Sequence, residues 1–283
     1  MITPTARSLI LNLLLASEER SQSARETIAS CALFGIRENN VRVALARLVA
    51  EGLIEPTRRG IYRLGPRAAA LADDVATWRT AEDRVRAWAG GWITVHVGPL
   101  GRSDRVALRA RDRALAMLGL RELDRGLYVR PDNLKGGVDE ARERLLRLGL
   151  EPAAAVFVAT GFDAEREARA RKLWDGERLS QAYRTTRREL EQWHMHAGTL
   201  GPEAAAREAY LLGNEAIRQI VFDPLLPAPL VDVEERREFV AAVRRHDDAG
   251  RDCWRRLHLG YGNKDAAIPH SFPVQSHTSP TRP

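Results

Sequence analysis

The sequence predicts an α+β chain in three successive folded parts, and three features of its hydropathy pattern carry that prediction. Amphipathic helical segments are followed at once by two short strands before residue 67; residues 92–163 alternate strands with helices; residues 164–260 are helical in period throughout. With 283 residues, 44% of them hydrophobic and 29% charged, the chain has the apolar surface for two or three packed units.

In the first part, Leu9, Leu13 and Ala16, joined by Ile10 and Leu14, form a helical stripe that starts after Pro4. The apolar run is too short to span a bilayer and has neither a basic leader nor a cleavage site, so it reads as the first helix of a soluble, cytoplasmic protein with no membrane partner. Ser23 opens a second helix through about Phe34, and Glu26, three residues on, completes a capping box. Gly35 then breaks the chain where two packed helices need a turn. From Glu38 to Glu51 the residues Val41, Ala44, Leu45, Leu48 and Val49 share one face, and Gly52 supplies the stop. Leu53 to Glu55, Pro56 to Gly60 and Ile61 to Leu64 read as strand, turn and strand. Three helices closed by such a hairpin make a winged helix-turn-helix, here residues 1–67.

That architecture nominates a set of residues facing double-stranded DNA. With Leu45 at the centre of the buried side and 100° per residue, Asn39, Asn40, Val43, Ala46 and Arg47 fall on the opposite side of the third helix. Asparagine can pair two ways with adenine, arginine with guanine, and a small apolar side chain can meet a thymine methyl. Arg42 lies at the flank, where phosphate contact suits it. Arg58 and Arg59 in the hairpin turn, with Arg63 on the second strand, suit phosphate or the minor groove, although a plain solvated hairpin has the same look. Residues 1–67 hold ten arginines against six acids, so this part is the basic one. The whole chain carries +6, with only three lysines, a balance that favours polyanionic partners; an arginine-rich, high-GC genome produces the same bias.

Residues 68–91 keep Ala70, Leu71, Val75 and Trp78 at helical spacing and predict a linker helix. From 92 to 163 come a strand at Trp92 to Val97, a helix at Asp104 to Leu118, a short strand near Leu120 to Leu123, a strand at Leu127 to Arg130, a helix at Val138 to Leu148 and a strand at Ala155 to Thr160. The order β-α-β-β-α-β is ferredoxin-like. Residues 164–260 form a helical domain with segments Arg166 to Trp193, Pro202 to Phe222 and Val233 to Leu257, and the rigid connector Asp223 to Pro229 between the last two. Residues 261–283, without periodicity, predict a disordered tail.

Motifs for catalysis are missing: no nucleophile elbow, phosphate-binding loop or dinucleotide fingerprint follows a strand, so the chain is read as a non-enzyme without cofactor. Cys31 and Cys253 have no metal or disulfide spacing, and His194 and His196 point to different sides of a helix, so no metal is expected.

The segment Gly35 to Leu53, with its core Val41-Arg42-Val43-Ala44-Leu45-Ala46-Arg47-Leu48, resembles the recognition segment of PaaX-type transcriptional repressors. Trp88-Ala89-Gly90-Gly91-Trp92 is similar to that family's tryptophan-rich lead-in to the middle domain, Gly126 to Pro131 to its strand pair, and Asp223-Pro224-Leu225-Leu226-Pro227 to its C-terminal proline signature. Ala89 stands where the family usually has aspartate, and Val231-Asp232-Val233 where it commonly has another tryptophan. The resemblance spans about Thr3 to Leu259. It implies a homodimer on a palindromic operator, repressing a catabolic operon until a small aromatic acid or its acyl-CoA thioester, such as phenylacetyl-CoA, releases it. A CoA thioester needs cations for its phosphates, and Arg105, Arg109 and Arg113, in a run with Arg102, Arg111, Arg121 and Arg125, offer them, with Trp92 as a wall of the effector pocket. Such a run is equally a solvated helix face. The middle domain also resembles a small ferredoxin-like nuclease of CRISPR spacer acquisition, but Val97-Gly98-Pro99 stands where that family has its metal-holding acid. Two rival readings stay open: a nucleic-acid-processing enzyme with an appended winged domain, and a protein-docking adaptor.

Overall fold

Helix α1 (Ala6–Ala16) is apolar almost all round, and a helix of that kind has to be covered on every side. In a computed structural model, which describes residues 4–16, 21–68, 77–101 and 103–260, Leu9, Ile10, Leu11, Leu13 and Leu14 are all at most 1% exposed. Even Asn12 is buried, donating from Nδ2 to the Tyr210 hydroxyl at 2.6 Å. Strand β1 (Ser21–Ser23) leads straight into helix α2 (Ala24–Ala32), where Ser23 and Glu26 form both hydrogen bonds of the capping box. Gly35 at φ 71° makes the turn, and helix α3 (Glu38–Ala50) follows. Strands β2 (Ile54–Arg58) and β3 (Ile61–Leu64) complete an antiparallel sheet of order β1-β3-β2.

Two local expectations differ here. Strand β2 runs on through Pro56, Thr57 and Arg58, leaving only Arg59 and Gly60 as the turn; Pro56 pairs with Tyr62 beside a bulge, a position an edge strand tolerates. Strand β1 has no hydrophobic alternation to announce it and exists because Ser21, Gln22 and Ser23 pair with Arg63, Tyr62 and Ile61.

The compact units do not follow the sequential boundaries 1–67, 68–91, 92–163 and 164–260. One unit gathers the chain up to Ala76 with Arg188–Arg218 and everything from Ala242; the other gathers Thr77–Arg187 with Gln219–Ala241. The helices α7 (Gly176–His196), α8 (Pro202–Val221) and α9 (Val233–Gly260) are each divided between them. In the first unit Trp193, Ala206, Tyr210, Trp254 and Leu257 join Leu9, Leu13, Val41, Leu45 and Leu48 in one apolar core. Phe34 stacks on Trp254 with ring centres 6.4 Å apart and meets Tyr210 edge-on.

The second unit holds β4 (Trp92–His96), α4 (Arg105–Met117), β5 (Arg121–Asp124), β6 (Leu127–Pro131), α5 (Gly137–Arg147), β7 (Ala155–Ala159) and α6 (Ala164–Arg171). Its sheet has the order β5-β6-β4-β7, with every neighbouring pair antiparallel. Ile93 and Val95 pack under α4 and α5 with Ala114, Leu115, Ala141 and Leu145. The helix expected over Arg166 to Trp193 is two, α6 and α7, parted at Lys172 to Asp175.

The linker helix expected over 68–91 is absent from Thr77 onward, and residues 69–76 lie outside the described residues. Thr77–Thr80 and Glu82–Arg84 are short 3-10 turns. Val85 then bridges to Leu134, and Arg86 N donates to Asn133 O at 2.8 Å. This pairing draws the backbone out of helical geometry, while Trp78 and Ala81 go into the core. The tail, 261–283, also lies outside the described residues.

Candidate nucleic-acid interface

The exposed side of α3 is the side left over once its apolar residues are seated. Val41, Leu45 and Leu48 are buried, and Asn39, Asn40, Arg42, Val43, Ala46 and Arg47 are all exposed, Val43 at 42% despite being apolar. Arg58, Arg59 and Arg63 on the hairpin are exposed as well.

The arginines separate by their partners. Arg42 donates from Nε and Nη2 to Glu38 one turn earlier, and Arg63 pairs across the hairpin with Glu55. Arg47, Arg58 and Arg59 have no ion-pair partner among the described residues. Among the described residues their charge is therefore uncompensated, and it is open to an external anion.

Sequence reasoning passed over Arg37 and counted it only as charge. It is exposed and occupies the N-cap of α3 without a side-chain cap bond. A cation there faces the positive end of the helix dipole, an arrangement that an incoming phosphate relieves. The missing signal was positional: arginine in the place where serine, threonine or aspartate is the usual cap.

The residues nominated for an effector do not come together. Arg105, Arg109 and Arg113 are exposed along one side of α4. Trp92, on β4, is 1% exposed; it stacks on Trp174 and Phe162, meets Trp88 edge-on, and donates from Nε1 to Glu167 at 2.8 Å. That ring is packing for its own sheet, and no open pocket wall is left on it. Arg111 is buried against Glu151, which holds the carboxyl below its ordinary range, and Arg102 lies outside the described residues. The proline signature proves to be a polar hub. Asp223 is buried, accepts from the Tyr183 hydroxyl, and is pushed up by desolvation. Arg130, Asn133 and Arg236 donate to the carbonyls of Pro224, Leu225 and Leu226 in turn.

Among the described residues no three His, Cys, Asp or Glu side chains gather as a metal site, and no helix is long and apolar enough to cross a membrane.

Comparison with protein families matches a PaaX-like protein description over residues 5–68 and the PaaX-like C-terminal domain over 174–256, together just over half of the chain. The chain belongs to the PaaX-like protein family. The first match covers α1 to β3, and the second covers α7, α8 and most of α9. Members of the PaaX-like family are transcriptional regulators, and the chain stands among them. A solved structure described as the uncharacterized protein Rv0674 from Mycobacterium tuberculosis is similar at 26% identity, covering 87% of this chain and 98% of that one with a TM-score of 0.52. No curated protein matches the sequence.

Proposed function

We propose that this PaaX-like chain is a transcriptional repressor whose residues 1–67 form a winged helix-turn-helix with α3 laid in the major groove. The observation that carries the reading is the outward row Asn39, Asn40, Val43, Ala46 and Arg47, opposite a fully seated apolar face. The sheet order β1-β3-β2, with β2 and β3 following the third helix, supports the winged form, and β5-β6-β4-β7 in β-α-β-β-α-β order supports a ferredoxin-like middle domain. Arg47 reads a base; Arg58 and Arg59, with Arg37, hold phosphates; Arg42 and Arg63, already paired, contribute less. The repressor acts as a homodimer on a palindromic operator of a catabolic operon. A small aromatic acid or its acyl-CoA releases it, with Arg105, Arg109 and Arg113 available to a polyphosphate.

Fluorescence anisotropy with the purified chain tests this directly. Its upstream intergenic fragment is expected to bind in clear preference to random duplex at moderate salt. Equal affinity for both would overturn the reading.

A further inference from the structure

The first unit contains a cavity of about 280 Å³ where α7 ends, the 3-10 turn Ala197–Thr199 follows, and α8 begins. Trp193, Leu200, Pro202, Ala205, Cys253 and Arg256 are among its walls. Most of that wall is apolar; Trp193 is 1% exposed and Ala205 6%. The polar side chains on it are His194, Asp252 and Arg256. The Nε of Arg256 donates to the Asp252 carbonyl at 3.2 Å and its Nη2 reaches the Cys253 sulfur at 3.7 Å. Among the described residues no carboxylate pairs with it, because the Asp252 carboxylate is taken by Arg255. His194, also on the wall, is held toward its neutral form by burial and by Arg245, so it does not supply a second cation.

We propose that this cavity is a binding site for a small apolar monocarboxylic acid, its carboxylate on Arg256 and its body against Trp193, Leu200 and Ala205. A guanidinium with vacant donors beside an apolar chamber selects an anionic head joined to an apolar body. The volume stands just below the usual range for ligand pockets, so the part of the occupant held within it is one ring or a short chain, and a coenzyme A nucleotide does not fit inside. The position gives the occupant a route to the proposed DNA face. Trp193 and Cys253 share the core with Val41 and Leu45, and Trp254, next in the chain, stacks on Phe34 in the turn before α3. That consequence rests on the repressor reading; the site itself does not.

Isothermal titration of the full chain without DNA, using benzoate, benzyl alcohol and coenzyme A, decides it. Benzoate is expected to saturate at one per chain, benzyl alcohol to bind at least about tenfold more weakly, and coenzyme A not to bind. R256Q is expected to weaken benzoate by at least about tenfold and to leave benzyl alcohol unchanged, with R256K recovering part of the loss. A249L fills the chamber and is expected to abolish both heats; if its thermal melt shows misfolding, G198L takes its place, since no atom lies within 4 Å of a Cβ built at Gly198. No saturable benzoate heat from natively folded protein, or undiminished benzoate binding by R256Q, overturns the site. A chain that selects its duplex but takes no benzoate refutes the site alone, and one that takes benzoate but selects no duplex refutes the repressor reading alone.

Discussion

At the scale of single residues, charge compensation sorts side chains that composition treats alike. Arg47 is exposed on α3 with no ion-pair partner among the described residues, so on the proposed reading R47A is expected to weaken binding at particular bases by about 1–3 kcal/mol. Arg58, on the hairpin with no ion-pair partner among the described residues, is expected to act on phosphate: R58A should weaken all sequences alike and lower the slope of log affinity against log salt by about one. Titrations of operator variants across a salt series separate the two. His246 makes a different kind of prediction. It is 1% exposed, donates from Nε2 to the Ala209 carbonyl at 3.0 Å, and is lowered to about 4, chiefly by desolvation, with His194 adding to the drop and Asp247 opposing it. Between pH 4 and 6.5 the unfolded chain therefore binds a proton that the folded chain refuses. Stability is complete above about 6.5 and falls as pH drops toward 4, by on the order of 3 kcal/mol from this group. H246Q should flatten the dependence of the melting temperature on pH across that window, and an unchanged slope would refute the assignment.

At the scale of elements, the ends of helices and the pairs that tie them down set local stability. Ser23 serves β1 as its last residue and α2 as its cap, bonding Glu26 N while Glu26 Oε2 accepts from Ser23 N at 2.9 Å. S23A is expected to cost about 1 kcal/mol in urea denaturation. Helix α4 is tied to the chain ahead of β7 by Arg111, which donates to both Glu151 oxygens and to the Gly101 carbonyl. R111A leaves that carboxylate and carbonyl without their partner, and a loss of about 3 kcal/mol is expected. Both devices differ in how far they could be read beforehand. The capping box lies within four consecutive residues and is legible in the sequence; the Arg111–Glu151 pair joins residues 40 apart and reads there as one more member of an arginine run.

At the scale of the molecule, the first unit is made of segments distant in sequence, and its stability has to depend on all of them. A peptide of residues 1–68 should lack a cooperative thermal transition, because Tyr210, Trp193 and Trp254 complete its core. W254A in the full chain should lose about 3–5 kcal/mol by removing the ring against Phe34. Sequence alone determined the elements whose cause is local: the apolar stripes of α1 and α3, the Ser23 cap, the Gly35 turn, the alternation from β4 to β7, and with them the polar row on α3. Tertiary structure decided what depends on partners far along the chain. Three-residue β1 exists only through β3, the segment after Thr77 left helical geometry to pair with residues 133–135, Trp92 went inward to other aromatic rings, and Arg256 came to rest on a cavity wall. The reason is physical: periodicity records which side of an element avoids water, whereas the identity of the group that covers that side depends on how distant segments pack.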